Sequence, residues 1–399
     1  MPTMHMIERM YSGLMSRLLV SRKLAFERMI TMSLKIMTVC GPIAPEELGF
    51  TSMHEHIFSD CSMFRHRVRR IGVARDRGLV HPDEKLTLEN RSFLRHNIAL
   101  SADNMKLDDE QLMIAEITEF RQGGGSAILE VSAPGIRSAA EDVFALRRIS
   151  SASGVHIIAS TGLYAEYTWP QQYRTMTYEE YVRFLRHEIN HGIGDTGILP
   201  GHIKAAYEVY TEQLESYLRA AAFVAGETGM SLQVHLGLDL SPEEVRLNVV
   251  RSLLEGGCIP ERTILCHIQL LLGFLTLEEL VGNPGRIPFD IQLHRELLQQ
   301  GFVLSFTPFG FEADDEPLGM VQYPDWYALS GLVALIKEGY AEQLVIGNDV
   351  FTKLATRRGG GEGYRRLTDF VIPALKQCGV TERQIRQLII ENPARLLAF

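Results

Sequence analysis

Eight short apolar runs, each followed by a stretch of helical spacing, constrain the fold of this 399-residue chain more than any other feature. The runs are 49–57, 126–132, 156–164, 201–207, 232–237, 263–268, 303–309 and 344–350. Apolar runs of this length, bounded by glycine and polar residues, read as buried strands. Stretches such as 211–228 and 242–255 repeat apolar residues with helical period. Gly123-Gly124-Gly125, Gly229 and Gly301 punctuate the returns to the next run. Strands that alternate with helices pair in parallel, because each helix carries the chain back across the sheet. No Gly-x-Gly-x-x-Gly follows the first run, which argues against a dinucleotide-binding sheet. The expectation is an α/β fold, a (β/α)8 TIM barrel, with its functional site at the C-terminal ends of the strands. A minimal barrel needs about 250 residues. The surplus is assigned to connections, chiefly 58–109 and 273–288.

Ligand-type side chains fall at those strand ends. His54 and His56 flank Glu55 in the first run. Residues two apart on a strand share a face, so both imidazoles project together and Glu55 points away. Lys204 lies in the fourth run, His235 in the fifth, His267 in the sixth, and Asp349 ends the eighth. Any one of these is as well read as a satisfied core or rim group. Their recurrence at successive strand ends points to a metal centre. His66, His81, His96, His191 and His294 lack such placement and are read as surface or packing residues.

Lys204 is the unusual member, since an ammonium does not bind a cation. In a dry barrel mouth its charged form is disfavoured. The neutral amine can combine with carbon dioxide to give a carbamate, an anionic bridge able to join two ions about 3.5–4 Å apart. His54, His56 and Asp349 would hold an inner ion, and His235 and His267 an outer one. A hydroxide bridging the two would attack the substrate, and Asp349 would take its proton. Imidazole and carboxylate donors suit Zn2+, with Mn2+ or Co2+ as replacements. Lys204 and Asp349 are thus the catalytic candidates.

Composition excludes other classes. Apolar residues make up 46% and charged residues 22%, the balance of a globular protein with a sizeable core. The net charge of −9 argues against nucleic acid or an anionic membrane as partner. Five widely spaced cysteines without a Cys-x-x-Cys fit reduced thiols in the cytoplasm better than a disulfide framework. Residues 1–35 are Met-rich and basic and are set apart from one domain over 36–399. An upstream extension of the reading frame or a frayed helical tail is preferred there to an amphipathic targeting or docking helix.

The run Val39-Cys40-Gly41-Pro42-Ile43, continued by Leu48 through His56, resembles the N-terminal signature of the phosphotriesterase family of the amidohydrolase superfamily. So do His191-Gly192-Ile193-Gly194-Asp195-Thr196-Gly197 and Asn392-Pro393-Ala394-Arg395. The resemblance runs from about residue 36 to 399. It implies a bridging carboxylated lysine at Lys204 and metal ligands at His54, His56, His235, His267 and Asp349. It also implies a small-molecule ester or lactone substrate and, as in many relatives, a homodimer.

Such proteins hydrolyse organophosphate triesters, acyl-homoserine lactones, phosphorylated sugar lactones and, in some members, amides. Tyr164 looks like the tyrosine of the lactonases. Pro308 stands where quorum-signal lactonases carry arginine. The usual His-Ser-Asp-Asp after the sixth strand is replaced by His267-Ile268-Gln269-Leu270-Leu271. Lys353, Arg357 and Arg358 precede Gly359-Gly360-Gly361, a basic loop able to cradle an anion. The expectation is a binuclear metal-dependent hydrolase of a lactone or carboxylic ester, with Tyr164, Lys353, Arg357 and Arg358 on the substrate. An organophosphate triesterase is the alternative, and a non-catalytic metal- or ligand-binding barrel is the rival of another class.

Overall fold

The computed structural model describes residues 34–64, 84–238, 240–273, 282–283, 289–311 and 324–399. Most of the tail expected over 1–35, and much of the 58–109 and 273–288 connections, lies outside these residues. Lys35 is part of the barrel: it exchanges backbone hydrogen bonds with Phe399. No helix of the described residues is long and apolar enough to cross a membrane.

The strands are β1 (Thr51–Glu55), β2 (Ala127–Glu130), β3 (His156–Gly162), β4 (His202–Tyr207), β5 (Leu232–Leu236), β6 (Thr263–Cys266), β7 (Val303–Phe306) and β8 (Leu344–Ile346). Each falls inside one of the apolar runs. They form one 8-stranded sheet in chain order, with parallel pairing throughout. The sheet curls until β8 meets β1, where the Asp349 N–H donates to the His54 carbonyl at 3.0 Å. Gly347 makes that approach feasible, since a Cβ there would sit 2.8 Å from His54 backbone and side-chain atoms. The result is a nearly closed (β/α)8 barrel.

The helices follow from local chemistry. The stretch 211–228 is the helix Glu212–Thr228, begun by Thr211, whose hydroxyl accepts from the Leu214 N–H at 3.0 Å. Gly229 ends it in the left-handed conformation, at φ 75°. The stretch 242–255 is helical but interrupted by a π-turn over Val245–Val250.

Inside the barrel the apolar residues gather at one level. Met53, Leu129, Ile158, Ile264, Val303 and Val345 pack together, and Ile36, Leu396 and Leu397 lie against them. These last residues place the first and last described segments over the bottom of the barrel, where Ile36 bridges Ala398. The opposite mouth is therefore the end where polar side chains collect.

Three strand ends differ from the expected runs. His56, His267 and Asp349 lie beyond the last regular residues of β1, β6 and β8. His267 (φ 62°) and Asp349 (φ 58°) adopt left-handed backbone, which breaks the strand at the functional position. In β1 the register slips between Ser52 and Glu55, which face Ile128 and Glu130. One extra residue is thus accommodated, a bulge beside the histidines.

Candidate metal centre

Asp349 is the meeting point. Its Oδ1 lies 3.3 Å from His56 Nε2 and 3.6 Å from His54 Nε2, and its Oδ2 lies 3.9 Å from His267 Nδ1. The rings continue around the mouth: His54 to His267 is 5.0 Å between centroids, and His267 to His235 is 4.4 Å. Ligand atoms of His54, His56 and Asp349 all lie within 4.8 Å of one another, as do those of His54, Cys266 and His267.

The hydrogen bonds set which nitrogens are open. His267 Nδ1 sits 2.8 Å from the Thr307 carbonyl, which only accepts, so Nδ1 carries the proton and Nε2 the lone pair. That Nε2 is buried and has no hydrogen-bond partner, and neither has His54 Nδ1. Buried polar atoms are nearly always satisfied, so such orphans suggest a missing ion or water. His56 Nδ1 is taken by Ser132 Oγ at 2.9 Å, which leaves its Nε2 facing Asp349. A ligating imidazole held at its other nitrogen is the usual arrangement around a metal.

Electrostatics point the same way. Burial pushes the His267 pKa down to about 3 and holds His54 and His235 below the ordinary imidazole value. Neutral imidazole is the form that binds a metal. Burial alone would raise the Asp349 carboxyl, but its bond to His56 and the neighbouring imidazoles outweigh this and hold it below the usual value. Lys204 is fully buried inside the barrel. Burial lowers its pKa, and its Nζ donates to Gln233 Oε1 at 3.3 Å. Gln233 is anchored in turn on the Met53 carbonyl at 3.0 Å. The donors present fit a metal centre.

Tyr164 is buried beside this cluster, its ring edge-on to His235 at 5.2 Å. The basic loop behaves differently from the expected anion cradle, because acidic partners take up its charges. Lys353 Nζ lies 2.7 Å from Asp103 and 3.3 Å from Asp108. Arg357 pairs with Glu119 and Asp369, and Arg358 with Glu116 and Glu119. The loop is a clasp that ties the segment after β8 to the connection between β1 and β2. Of the histidines read as surface or packing residues, His294 is buried and bonds the Ile268 carbonyl, while His96 and His191 are exposed. His66 and His81 lie outside the described residues.

Sequence reading missed several members of the site. Glu55 was set aside as pointing away. It is buried and grips both neighbours of Asp349, accepting from the Asn348 N–H at 2.9 Å, the Asn348 side-chain amide at 2.7 Å and the Val350 N–H at 3.1 Å. Burial pushes its carboxyl up to about 7. Glu208, just past β4, places Oε1 3.6 Å from His235 Nε2. Its position four residues after Lys204 was the available signal. Cys266 Sγ lies 3.9 Å from Lys204 Nζ, and burial pushes its thiol up to about 12.

The phosphotriesterase family profile matches residues 34–397. A phosphotriesterase-related protein of Nematostella vectensis is 31% identical over 369 residues, which cover 91% of this chain and 98% of the relative. An N-acetyltaurine hydrolase of Tetraodon nigroviridis is 29% identical, over 93% of this chain and 100% of the relative. Among solved structures, a resiniferatoxin-binding protein from Rhodobacter sphaeroides has a TM-score of 0.78 at 27% identity, covering 91% of this chain and 94% of that one. A lactonase from Listeria monocytogenes shares the fold with a TM-score of 0.67 at 19% identity, covering 91% and 98%. A profile match over nearly the whole described barrel, together with hydrolase relatives of full length and a histidine-rich centre at the barrel mouth, makes this chain a hydrolytic enzyme of the phosphotriesterase family.

Proposed function

We propose that the chain is a binuclear metal-dependent hydrolase acting on a lactone or carboxylic ester. The observation that carries this reading is the convergence of His54, His56 and His267 on Asp349, with buried imidazole nitrogens left unpartnered. His54, His56 and Asp349 would hold one ion, His235 and His267 a second, and Lys204, as a carbamate, would join them. Zn2+ suits these donors, with Mn2+ or Co2+ as alternatives. When bound, such ions supply a Lewis acid for the substrate oxygen and lower the pKa of water toward about 7.

The chain's own residues do the rest. Lys204 Nζ, held away from its ammonium form by burial, is suited to add to carbon dioxide; the N–C bond forms and one proton leaves. The Asp349 carboxylate stays ionised and accepts the proton of the attacking water. Glu55 holds the backbone on both sides of Asp349 and so fixes its direction. Burial raises the pKa of Tyr164, which therefore remains a phenol that can donate to substrate beside His235.

A second reading, hydrolysis of an N-acyl amide, is favoured by Glu208, a carboxyl next to His235 that could pass a proton to an amine leaving group. Relatives named N-acetyltaurine hydrolases support that alternative. Free thiols at Cys61, Cys258 and Cys266 support a reducing, cytoplasmic location, and assembly as a homodimer belongs to the same proposal.

The test is metal analysis of the purified protein together with rates on matched lactones, aryl esters, N-acyl amino compounds and aryl phosphotriesters. Two ions per chain and the highest kcat/KM on lactones or esters are expected. Highest rates on N-acyl compounds would transfer the assignment to amides, and on triesters to organophosphates. A fully active protein that binds no metal would overturn the metal-dependent reading.

A further inference from the structure

Behind His56 lies a buried polar relay that the proposed chemistry does not use. Arg137 and Glu130 are 6% and 0% exposed and form an ion pair at 3.3 Å. Taking two charges out of water is a poor way to stabilise a fold, and an apolar pair of similar volume often serves as well. Two guanidinium nitrogens, Nε and Nη1, are buried without a partner, which adds to the cost. The bonds of the pair converge on Ser132. Glu130 Oε1 accepts from the Ser132 N–H at 3.3 Å, and Arg137 Nη2 donates to the Ser132 carbonyl. The same Nη2 donates to the Ser160 carbonyl of β3 at 3.1 Å. A tight turn brings Arg137 back to this point. The N–H groups of Ile136 and Arg137 both donate to the Ala133 carbonyl, at 3.0 and 2.8 Å, and Gly135 supplies a positive φ of 113°. The Ser132 hydroxyl, fixed in this way, meets His56 Nδ1 at 2.9 Å. Tyr364 holds the backbone of the same residue, its hydroxyl donating to the His56 carbonyl at 2.6 Å.

We propose that Arg137 is a positioning residue of the metal centre: with Glu130 it locks the Ser132 peptide on both sides, and the Ser132 hydroxyl then directs His56 Nε2 toward Asp349. The inference rests on the histidine cluster being a metal centre and adds no donor to it. With Nε2 as the ligand atom, Nδ1 keeps its proton and donates to Ser132 Oγ. Without that acceptor the ring is free to turn and must be ordered each time an ion binds, which lowers affinity. His56 belongs with His54 and Asp349 to one of the two proposed ion sites. The loss should therefore fall on one ion and spare the other.

Titration of Zn2+ into the metal-stripped full chain against a competing chelator, read as two binding constants, tests this without reference to activity. Ser132→Ala should weaken one ion by about 10–100-fold and leave the other unchanged. Ser132→Thr keeps a hydroxyl and should restore the affinity. Glu130→Leu combined with Arg137→Met removes both charges together, so that neither is left buried and unpaired. This pair of substitutions should weaken the same ion by a comparable factor. Adding Ser132→Ala to the pair should cost nothing further, because the three residues act along one route. The urea midpoint of the metal-free chain should move little in Ser132→Ala. Unchanged affinity for both ions in Ser132→Ala would overturn the proposal. So would losses that add, or equal weakening of both ions with a fallen urea midpoint, the signature of a purely structural pair. If the paired substitution folds poorly, Arg137→Lys keeps the charge but shortens the reach, and the same one-ion loss is expected of it; an unchanged affinity there would remove Arg137 from the relay. An unmodified chain that binds no Zn2+ would remove the centre itself, and the proposal with it, before any variant is made.

Discussion

Two polar regions of this molecule were equally prominent as residue types, and their structures are opposite. At the barrel mouth, His54, His56, His267 and Asp349 are buried together, and some of their atoms lack partners. On the loop after β8, Lys353, Arg357 and Arg358 each meet a carboxylate. A buried polar atom without a partner costs roughly 1–3 kcal/mol, so folding alone does not favour it. Matched charges at a half-exposed surface are ordinary architecture. The contrast teaches that residue type nominates a site, while the state of its partners distinguishes chemistry from scaffolding.

The sharpest way to break the comparison is to remove the mouth. Lys204→Ala or Asp349→Ala should lower bound metal and cut kcat/KM by about 10³-fold or more, since metal catalysis supplies several kcal/mol. Plasma mass spectrometry and steady-state rates read both quantities, and full activity in either variant would contradict the centre.

Glu55→Gln should cost about 10–100-fold in metal affinity or activity, the range for groups that orient ligands. Its fold should persist by circular dichroism, because the amide oxygen can still accept both Asn348 bonds and only the Val350 N–H loses its acceptor. An unchanged metal affinity would make Glu55 a seam residue only.

Tyr164→Phe keeps the ring against His235 and removes one donor. A loss of about 3–10-fold in kcat/KM is expected, equivalent to one hydrogen bond. A rise in activity would place the hydroxyl in the substrate's way.

Lys353→Ala should act on stability instead, by about 1 kcal/mol after solvent screening, with KM little changed. A tenfold rise in KM for an anionic substrate would restore the loop as an anion cradle.

The two regions should also part with pH. Although burial acts against both charged forms, the Lys353 bond lowers the Asp103 pKa below 3.8, and Asp103 raises the Lys353 pKa above 10.5. A depressed carboxyl contributes stability above its unfolded value and loses it as pH falls. A raised lysine contributes below its unfolded value and loses it as pH rises. The clasp is therefore constant from about pH 5 to 9. Metal occupancy at the mouth should hold over the same window, because burial keeps His54 and His267 neutral there. It should fall only toward about pH 3, where protons reach the His267 imidazole. The two regions part at the alkaline end, where only the clasp's lysine discharges. Chelator-competition titrations beside denaturant melts would show whether both follow one curve, the result that would erase the distinction.

Much of the barrel was legible because its strands are local signals. Each apolar run holds one regular strand, and Thr211 and Gly229 mark the ends of the helix between β4 and β5. The ligand-type residues were legible because strand ends all point to one mouth in this architecture. Cys266 and Glu55 were not. A thiol in an apolar strand looks like any small core residue, and a glutamate between two histidines shows no partner until β8 returns beside β1.

By itself the sequence determined the order and identity of the strands and which side chains stand near their ends, because period and punctuation act over a few residues. Tertiary structure decided the rest. Left-handed backbone at His267 and Asp349 is permitted by packing, not announced by residue type. The bond from Asp349 to His54, like the pairing of Lys353 with Asp103, joins residues hundreds of positions apart along the chain. Whether a charge is free or neutralised depends on what folding brings within a few ångströms, because Coulomb energy follows distance in space and not distance along the chain.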